Sequence, residues 1–324
     1  MLLQLKASGF KSLMNFETDF KPGLNVLIGP NGSGKTTVCQ AIGLISAIVK
    51  NEVSDYILSI GGAQSTFTRC KVEDRIPPKK ITLGCTGSLD VEVEEQNRKS
   101  IKYEYKCTLE LTETLSITQE SLIIYYLANT NRFRILLKAK RSNNKFFEVK
   151  VSNKEELEPN FLSAWKNGKI KYSLSMTESF FGILLNLFLY YVPPIREDIA
   201  NIQLFNINPR IAKKPSDFSA PSYILENGRY LSNALAKLEN NNKDVFIEIN
   251  DFLSQICPRY SKIIPETDNQ KLMRTFSIID HKGITCPASS LSDGTIKTIA
   301  LLTAIHARQH ATIVIEEPEN YLHP

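Results

Sequence analysis

Apolar positions along the chain change their spacing twice, and the changes divide it into three regimes. Near the start, short runs at residues 2–5, 16–20 and 24–28 read as strands, with a Lys21-Pro22-Gly23 turn between the last two. Val38, Ala41, Ile42, Ile45 and Val49 then recur at three- and four-residue intervals, which predicts an amphipathic helix of about four turns. From about residue 81 to 151 the spacing drops to two: SLDVEVE, KYEYKCTLEL, SLIIYYL, RFRILLK and FFEVKV alternate as strands of an antiparallel sheet. Polar clusters at 94–99 and 141–145 read as turns between them.

From 155 to about 260 helical spacing dominates, interrupted by Pro193-Pro194, Pro209, Pro215 and Pro221. Residues 231–238 and 245–257 read as helices, Asn227-Gly228 as a turn, and 276–279 as a strand closed by His281-Lys282-Gly283. The last stretch returns to the opening style, with an apolar helix at 296–307 and a strand at 311–315. No internal repeat and no heptad run of useful length interrupts this order.

Composition narrows the class. With 324 residues and 42% hydrophobic content the chain can bury a core without metal or disulfide staples. Lys plus Arg number 39 against 34 Asp plus Glu; the net charge of +5 permits a nucleic-acid partner without pointing to one. Six scattered cysteines with no CxxC pair read as reduced thiols. The N-terminus alternates and carries Lys6 and Lys11, unlike a signal peptide, and the apolar stretch 180–192 is too short to span a bilayer. A soluble cytoplasmic protein with no membrane partner is the expectation.

Three motifs carry chemistry. Gly29-Pro30-Asn31-Gly32-Ser33-Gly34-Lys35-Thr36, followed by Thr37, fits GxxxxGK[ST] at every fixed position and lies between an apolar run and a helix. Such glycines let successive N–H groups point at phosphate oxygens, the lysine reaches the β- and γ-phosphates, and the Thr36 hydroxyl binds Mg²⁺. ATP and Mg²⁺ are the expected ligands. The second motif, TIVIEEPEN at 312–320, is a buried strand that delivers two carboxylates to its C-terminal edge. Glu316 is placed to hold Mg²⁺, directly or through water, and Glu317 to accept a proton from the attacking water. The third, Leu291-Ser292-Asp293-Gly294-Thr295-Ile296-Lys297, opens the next-to-last element. Ser292 is a natural N-cap there, and a helix N-terminus also suits a phosphate.

Taken in this order, the motifs resemble the ABC-type ATPase heads of the RecF, SMC and OLD-family proteins. The resemblance rests on GFKSLMNFE, GPNGSGKTT, PASSLSDGTIK and EEPENYLHP, and reaches weakly into the middle through YEYKCTLEL, ILENGRYLSNALAKL and FSIIDHKG. It is nearest to bacterial AAA family ATPases related to OLD nucleases. It implies an α/β P-loop NTPase: a mixed-sheet lobe at 1–84, an inserted antiparallel-β and helical lobe at 85–283, and a completing segment at 284–324. It also implies a homodimer or higher homo-oligomer in which Ser292, Asp293 and Gly294 contact the γ-phosphate held by the other subunit. Asp293 stands where transporter-type signatures have glycine, so it is expected to turn away and cap the helix or to pair with Lys297. A switch histidine, which the resemblance places on a strand past Glu317, finds no candidate. His323 belongs to the LHP element, and the last sheet strands are absent, so a longer natural protein is expected. Gln64 is the candidate Q-loop residue.

The implied activity is ATP hydrolysis driving a DNA transaction or anti-phage defence, coupled to a nuclease domain or partner. An ATP-gated scaffold that holds and releases an effector such as a toxin, and a RecF-like repair ATPase, are the alternatives. For DNA the sequence offers one local feature, the basic run Arg132, Arg134, Lys138, Lys140, Arg141 and Lys145. Arg132 with Arg134, and Lys138 with Lys140, share faces of a strand pair; the run reads either as a phosphate-tracking ridge or as a solvated hairpin.

Overall fold

The period-two stretch builds one eight-stranded antiparallel sheet in the computed structural model, which describes residues 1–67, 80–94, 97–127, 133–141, 146–151, 169–187, 190–306 and 312–321. The chain divides into two units, Met1–Ile202 and Gln203–Pro324. In the first, β1 (Leu2–Ser8), β2 (Phe16–Asp19), β3 (Lys80–Glu94), β4 (Asn97–Leu111), β5 (Leu115–Leu127), β6 (Phe133–Arg141), β7 (Phe146–Val151) and β8 (Lys169–Ser173) lie in the order β2-β1-β3-β4-β5-β6-β7-β8. Strand β3 runs unbroken through residue 84, so the opening strands and the alternating middle share one sheet.

Alternation sets what each face carries. One cross-strand row, Leu5–Cys85–Tyr105–Leu122–Ala139–Val149, is buried throughout. The adjacent row, Lys6–Gly84–Lys106–Ser121–Lys140–Glu148, points to the opposite face. Helices α1 (Lys35–Lys50), α2 (Val53–Ser59), α3 (Gly62–Thr66), α4 (Phe181–Leu187) and α5 (Val192–Ala200) complete the unit. Helix α1 packs on α5 and β3, with the Ser46 hydroxyl donating to the Ala200 carbonyl at 2.8 Å. Of the apolar stretch 180–192, residues 181–187 form α4, and Val192 begins α5. Pro193 and Pro194 open the second of them, since their missing N–H groups would be unpaired there in any case.

The second unit holds β9 (Gln203–Phe205), α6 (Pro209–Ala212), β10 (Ser216–Asp217), α7 (Leu231–Asn241), α8 (Lys243–Ile256), β11 (Tyr260–Asp268), β12 (Met273–Asp280), β13 (Thr285–Pro287), α9 (Asp293–His306) and β14 (Ile313–Ile315). Leu235, Ile249, Leu253, Ile263, Phe276, Ile278, Ile296 and Ile299 form its core. Strand β11, not expected from the sequence, lies at a sheet edge, where Pro265 costs no central ladder bond. The expected turn at 281–283 is closed by the Asp280 carboxylate, which accepts from the N–H groups of Lys282 and Ile284, both at 2.9 Å.

The expected strand at 24–28 is absent. Leu24 and Ile28 are about nine-tenths exposed, and no strand among the described residues pairs with the segment. Asn25 supplies the local reason. Its side chain accepts from Lys21 N–H at 2.9 Å and donates to the carbonyls of Lys21 and Gly23 at 2.8 and 3.3 Å, closing a turn in place of a ladder.

Candidate nucleotide site

The glycine loop belongs to the first unit. Helix α1 begins at Lys35, and the Val38 N–H donates to the Gly34 carbonyl at 2.9 Å. Gly32 and Gly34 take φ of +81° and +95°, left-handed conformations that turn the chain sharply into the helix. A Cβ on Gly34 would also lie 3.3 Å from Ser12 Oγ, the hydroxyl that sits 3.4 Å from Thr37 Oγ1. Ser33 N–H donates to the Pro30 carbonyl at 3.2 Å. The Lys35 ammonium bends back over the loop and donates to the carbonyls of Gly29 (2.6 Å) and Pro30 (3.0 Å). Asn31, Ser33 and Thr36 are exposed along the loop. Gln64 lies in α3, exposed.

The acidic strand end and the signature belong to the second unit. Strand β14 pairs in parallel with β9, Ile313 opposite Gln203 and Ile315 opposite Phe205; flanking bonds run from Gln203 N–H to the Thr312 carbonyl and from Glu316 N–H to that of Phe205. Glu316 leaves the ladder with its carboxylate accepting from Asn206 Nδ2 at 3.2 Å. Glu317 begins a turn at φ +48°, uncommon for a residue with a Cβ. Its carbonyl accepts from Asn320 N–H at 3.1 Å and from Lys297 Nζ at 2.5 Å, and its carboxylate accepts from Asn320 Nδ2 at 2.5 Å. His323 lies outside the described residues.

The cap expected at Ser292 is present, and the expectation for Asp293 is corrected. Ser292 caps α9: its Oγ accepts from Thr295 N–H at 3.1 Å and lies 2.8 Å from Thr295 Oγ1. Asp293 neither caps the helix nor pairs with Lys297. Its carboxylate lies 3.1 Å from Lys213 Nζ, at the end of α6, because Ser292 already occupies the cap and Lys297 is directed at Glu317. Gly294 offers its carbonyl to Thr298 Oγ1 at 3.0 Å, an intrahelical bond. Burial holds the Lys297 ammonium below the usual lysine range, and the Glu319 and Glu317 carboxylates pull the other way.

The fit of ATP and Mg²⁺ turns on the donor set. Left-handed glycines, exposed loop residues and a lysine bonded to two loop carbonyls suit an anion. Among the described residues no three His, Cys, Asp or Glu side chains gather into a metal site. Thr36 in the first unit and Glu316 in the second are each of a chemical type that can ligate Mg²⁺. Lys213, Asn206 and Asn320 were not singled out in the sequence. Each is brought to its partner by tertiary packing or a turn, and only the EEPEN spacing hinted at the last.

The basic run divides. Lys138 and Lys140 are exposed on one face of β6. A bulge at the β5–β6 pairing puts Arg134, opposite Tyr126, on the other face, which corrects an unbroken ridge. Arg141 is buried. Its guanidinium lies 3.6 Å from the Glu120 carboxylate and donates to the carbonyls of Ser175 and Glu178. Arg132 and Lys145 lie outside the described residues, as does Cys70. Of the other thiols, Cys39, Cys85 and Cys107 are buried, and Cys257 and Cys286 are partly so.

A family model described as "AAA domain, putative AbiEii toxin, Type IV TA system" matches residues 24–324. The DNA replication and repair protein RecF of Beutenbergia cavernae is 34% identical over 80 residues, 24% of this chain and 20% of that protein. RecF of a Marinomonas species is 26% identical over 172 residues, 51% of this chain and 41% of that protein. The matches thus span less than half the length of these relatives. A solved Smc head bound to the C-winged-helix domain of ScpA aligns over 99% of this chain and 77% of its own, at 12% identity and a TM-score of 0.45. No helix among the described residues is long and apolar enough to cross a membrane.

Proposed function

We propose, for a chain that belongs to this family of AAA domains, an ATP-binding and ATP-hydrolysing head that dimerises around nucleotide and drives a DNA transaction or anti-phage defence activity. The observation that carries the reading is the loop from Gly29 to Thr36, which enters α1 through left-handed glycines with Lys35 at the first helical position. In this reading Lys35 exchanges the two loop carbonyls for phosphate oxygens, and the loop N–H groups bind the phosphate chain. Thr36 and Glu316 would hold Mg²⁺, which when bound neutralises charge on the phosphates. Glu317 positions the attacking water and receives its proton. Ser292, Asp293 and Gly294 of the second copy complete the site, so turnover requires dimerisation.

Two substitutions test it. Lys35→Ala is expected to abolish ATP binding in an equilibrium titration, whereas Glu317→Gln retains binding and accumulates the ATP-bound dimer. Wild-type phosphate release by Glu317→Gln would sink the role given to that carboxylate. Tight ATP binding with no turnover in the wild-type protein would instead favour an ATP-gated scaffold that holds a nuclease or toxin effector.

A DNA transaction draws support from the exposed face of β5–β7. Lys138 and Lys140 lie there opposite Lys150 and Glu148 of β7, while Phe133, Ile135 and Phe146 are also exposed and Lys102 sits 4.4 Å from the centre of the Phe133 ring. Cations with exposed aromatic rings on an open sheet suit a nucleic-acid strand. Stimulation of ATP turnover by single-stranded or junction DNA would support this reading, and the junction preference would favour a RecF-like role.

A further inference from the structure

Lys297 is 2% exposed, and nothing in its own helix explains a buried cation there. Removing an ammonium from water is costly unless a partner offsets it, and an apolar side chain of similar length would pack at least as well. The compensation comes from the segment after β14. Lys297 Nζ donates to the Glu317 carbonyl at 2.5 Å and lies 5.6 Å from the centre of the Tyr321 ring. Both Glu317 and Tyr321 have positive φ, +48° and +69°, so the turn between them holds two residues in sparsely populated conformations. Strain of that kind persists only where the surroundings over-determine it. The ammonium bonded at the first of these residues and resting by the ring of the second supplies that restraint.

Its place in the chain adds a link. Lys297 lies one helical turn beyond Asp293, on the same side of α9. The helix that Ser292 caps is therefore tied by this one side chain to the backbone of the acidic strand end.

We infer that Lys297 is a positioning residue for Glu317: by fixing the peptide carbonyl it sets the direction in which the carboxylate leaves the turn. The inference rests on the reading of Glu317 as the group that receives the proton of the attacking water. Lys297 itself touches neither the water nor the nucleotide. Its loss lowers kcat and leaves ATP affinity alone, because the loop that binds ATP is unchanged.

The test compares Lys297→Met, Lys297→Arg and Glu317→Gln in the full chain, by ATP titration, steady-state kinetics and thermal melting. Lys297→Met is expected to lower kcat by between about tenfold and a hundredfold, the scale on which a misplaced group costs rate. The ATP Kd should stay within about twofold, and Lys297→Arg, which keeps a donor, should recover part of the rate. In the Glu317→Gln background Lys297→Met should cause no further loss, since the two act as one unit. Wild-type kcat in Lys297→Met beside an inactive Glu317→Gln overturns the inference alone. Full turnover in Glu317→Gln removes the reading beneath it, and the inference with it. If Lys297→Met melts early, Tyr321→Leu carries the test: it removes the ring by the ammonium outside the helix, and an unchanged kcat there counts against the proposal.

Discussion

Lys213 Nζ lies 3.1 Å from Asp293 Oδ1, so the carboxylate in the LSDG motif is matched by a cation from a different element of the same unit. Both side chains keep about a third of their surface in water, so the pair adds little to folding, in the range of 0–1 kcal/mol for exposed ion pairs. In the reading proposed above, which brings a phosphate to this helix N-terminus, the cation would also offset the repulsion of a bare carboxylate.

The first prediction follows from that pair. Lys213→Met is expected to leave the melting temperature nearly unchanged while raising the protein concentration needed for ATP-dependent dimerisation by roughly tenfold, equivalent to about 1.4 kcal/mol. Adding Asp293→Asn should restore assembly, because it removes the charge that Lys213 offsets. Sedimentation with and without ATP reads both outcomes. Equal assembly by all three proteins would mean that Asp293 does not face phosphate.

Ser292 makes a separable contribution. Its hydroxyl satisfies the Thr295 N–H, one of the donors left open at a helix start. Ser292→Ala should therefore destabilise the protein by about 1 kcal/mol, and Ser292→Asp should keep the cap. If Ser292 also contacts the γ-phosphate, the Asp variant will melt like wild type yet fail to dimerise with ATP. Normal assembly by that variant would leave Ser292 with the cap alone.

In the first unit, Glu120 and Arg141 form a buried ion pair at 3.6 Å, and Tyr105, Ser179 and the Phe180 N–H donate to the carboxylate. Burial raises the Glu120 pKa above its usual 4.5, although the bonds from Ser179, Phe180 and Tyr105 and the Arg141 charge oppose this. The sign follows from the raised value. The protonated carboxyl stabilises the fold fully below about pH 4.5, and that contribution is lost as pH rises through the raised pKa. Glu120→Gln carries no such dependence, so its deficit against wild type should shrink between pH 5 and pH 8 in denaturant melts. A deficit that grows over that range would mean that the ionised pair is the more stable form. Arg141→Met keeps those three hydrogen bonds but removes the charge paired with the acid, and should cost about 3–5 kcal/mol.

This pair also marks what the sequence could and could not reveal. Glycine loop, cap and acidic strand end were legible because each depends on residue types at fixed local spacing. Arg141 was counted with its exposed neighbours, although strand alternation alone sets it on the face opposite Lys138 and Lys140. The reversal at Arg134 comes from a bulge, which no alternation pattern announces. Residues 24–28 read as a strand because they are apolar, yet Asn25 turns the backbone groups on themselves. Lys213 and Lys297 acquire their partners across gaps of 80 and 20 residues, beyond any periodicity.

The same division of the basic run gives a fourth prediction. Charge reversal at Lys138 and Lys140 together is expected to weaken DNA binding and to lower the slope of log K against log salt by about two, one for each phosphate that is no longer neutralised. Arg134→Glu, on the opposite face, should change that slope little. Fluorescence anisotropy across a salt series distinguishes the two. Equal slopes in wild type and the double reversal would assign this face to solvent.

The last prediction concerns Gly34. At φ +95° a residue with a Cβ is strained, and here the added carbon would also meet Ser12 Oγ at 3.3 Å. Left-handed backbone costs a non-glycine residue roughly 1–2 kcal/mol. The hydroxyl can turn aside, so Gly34→Ala should fold with a loss of about that size. Relief of the strain requires the loop to leave its curl, and with it the aim of the N–H groups and of Lys35. ATP binding should accordingly fall by much more than stability does. Ser12→Ala in the same chain removes the close approach but not the strained φ. It should therefore recover little of the ATP affinity, whereas full recovery would make the hydroxyl, and not the backbone conformation, the reason for glycine at this position.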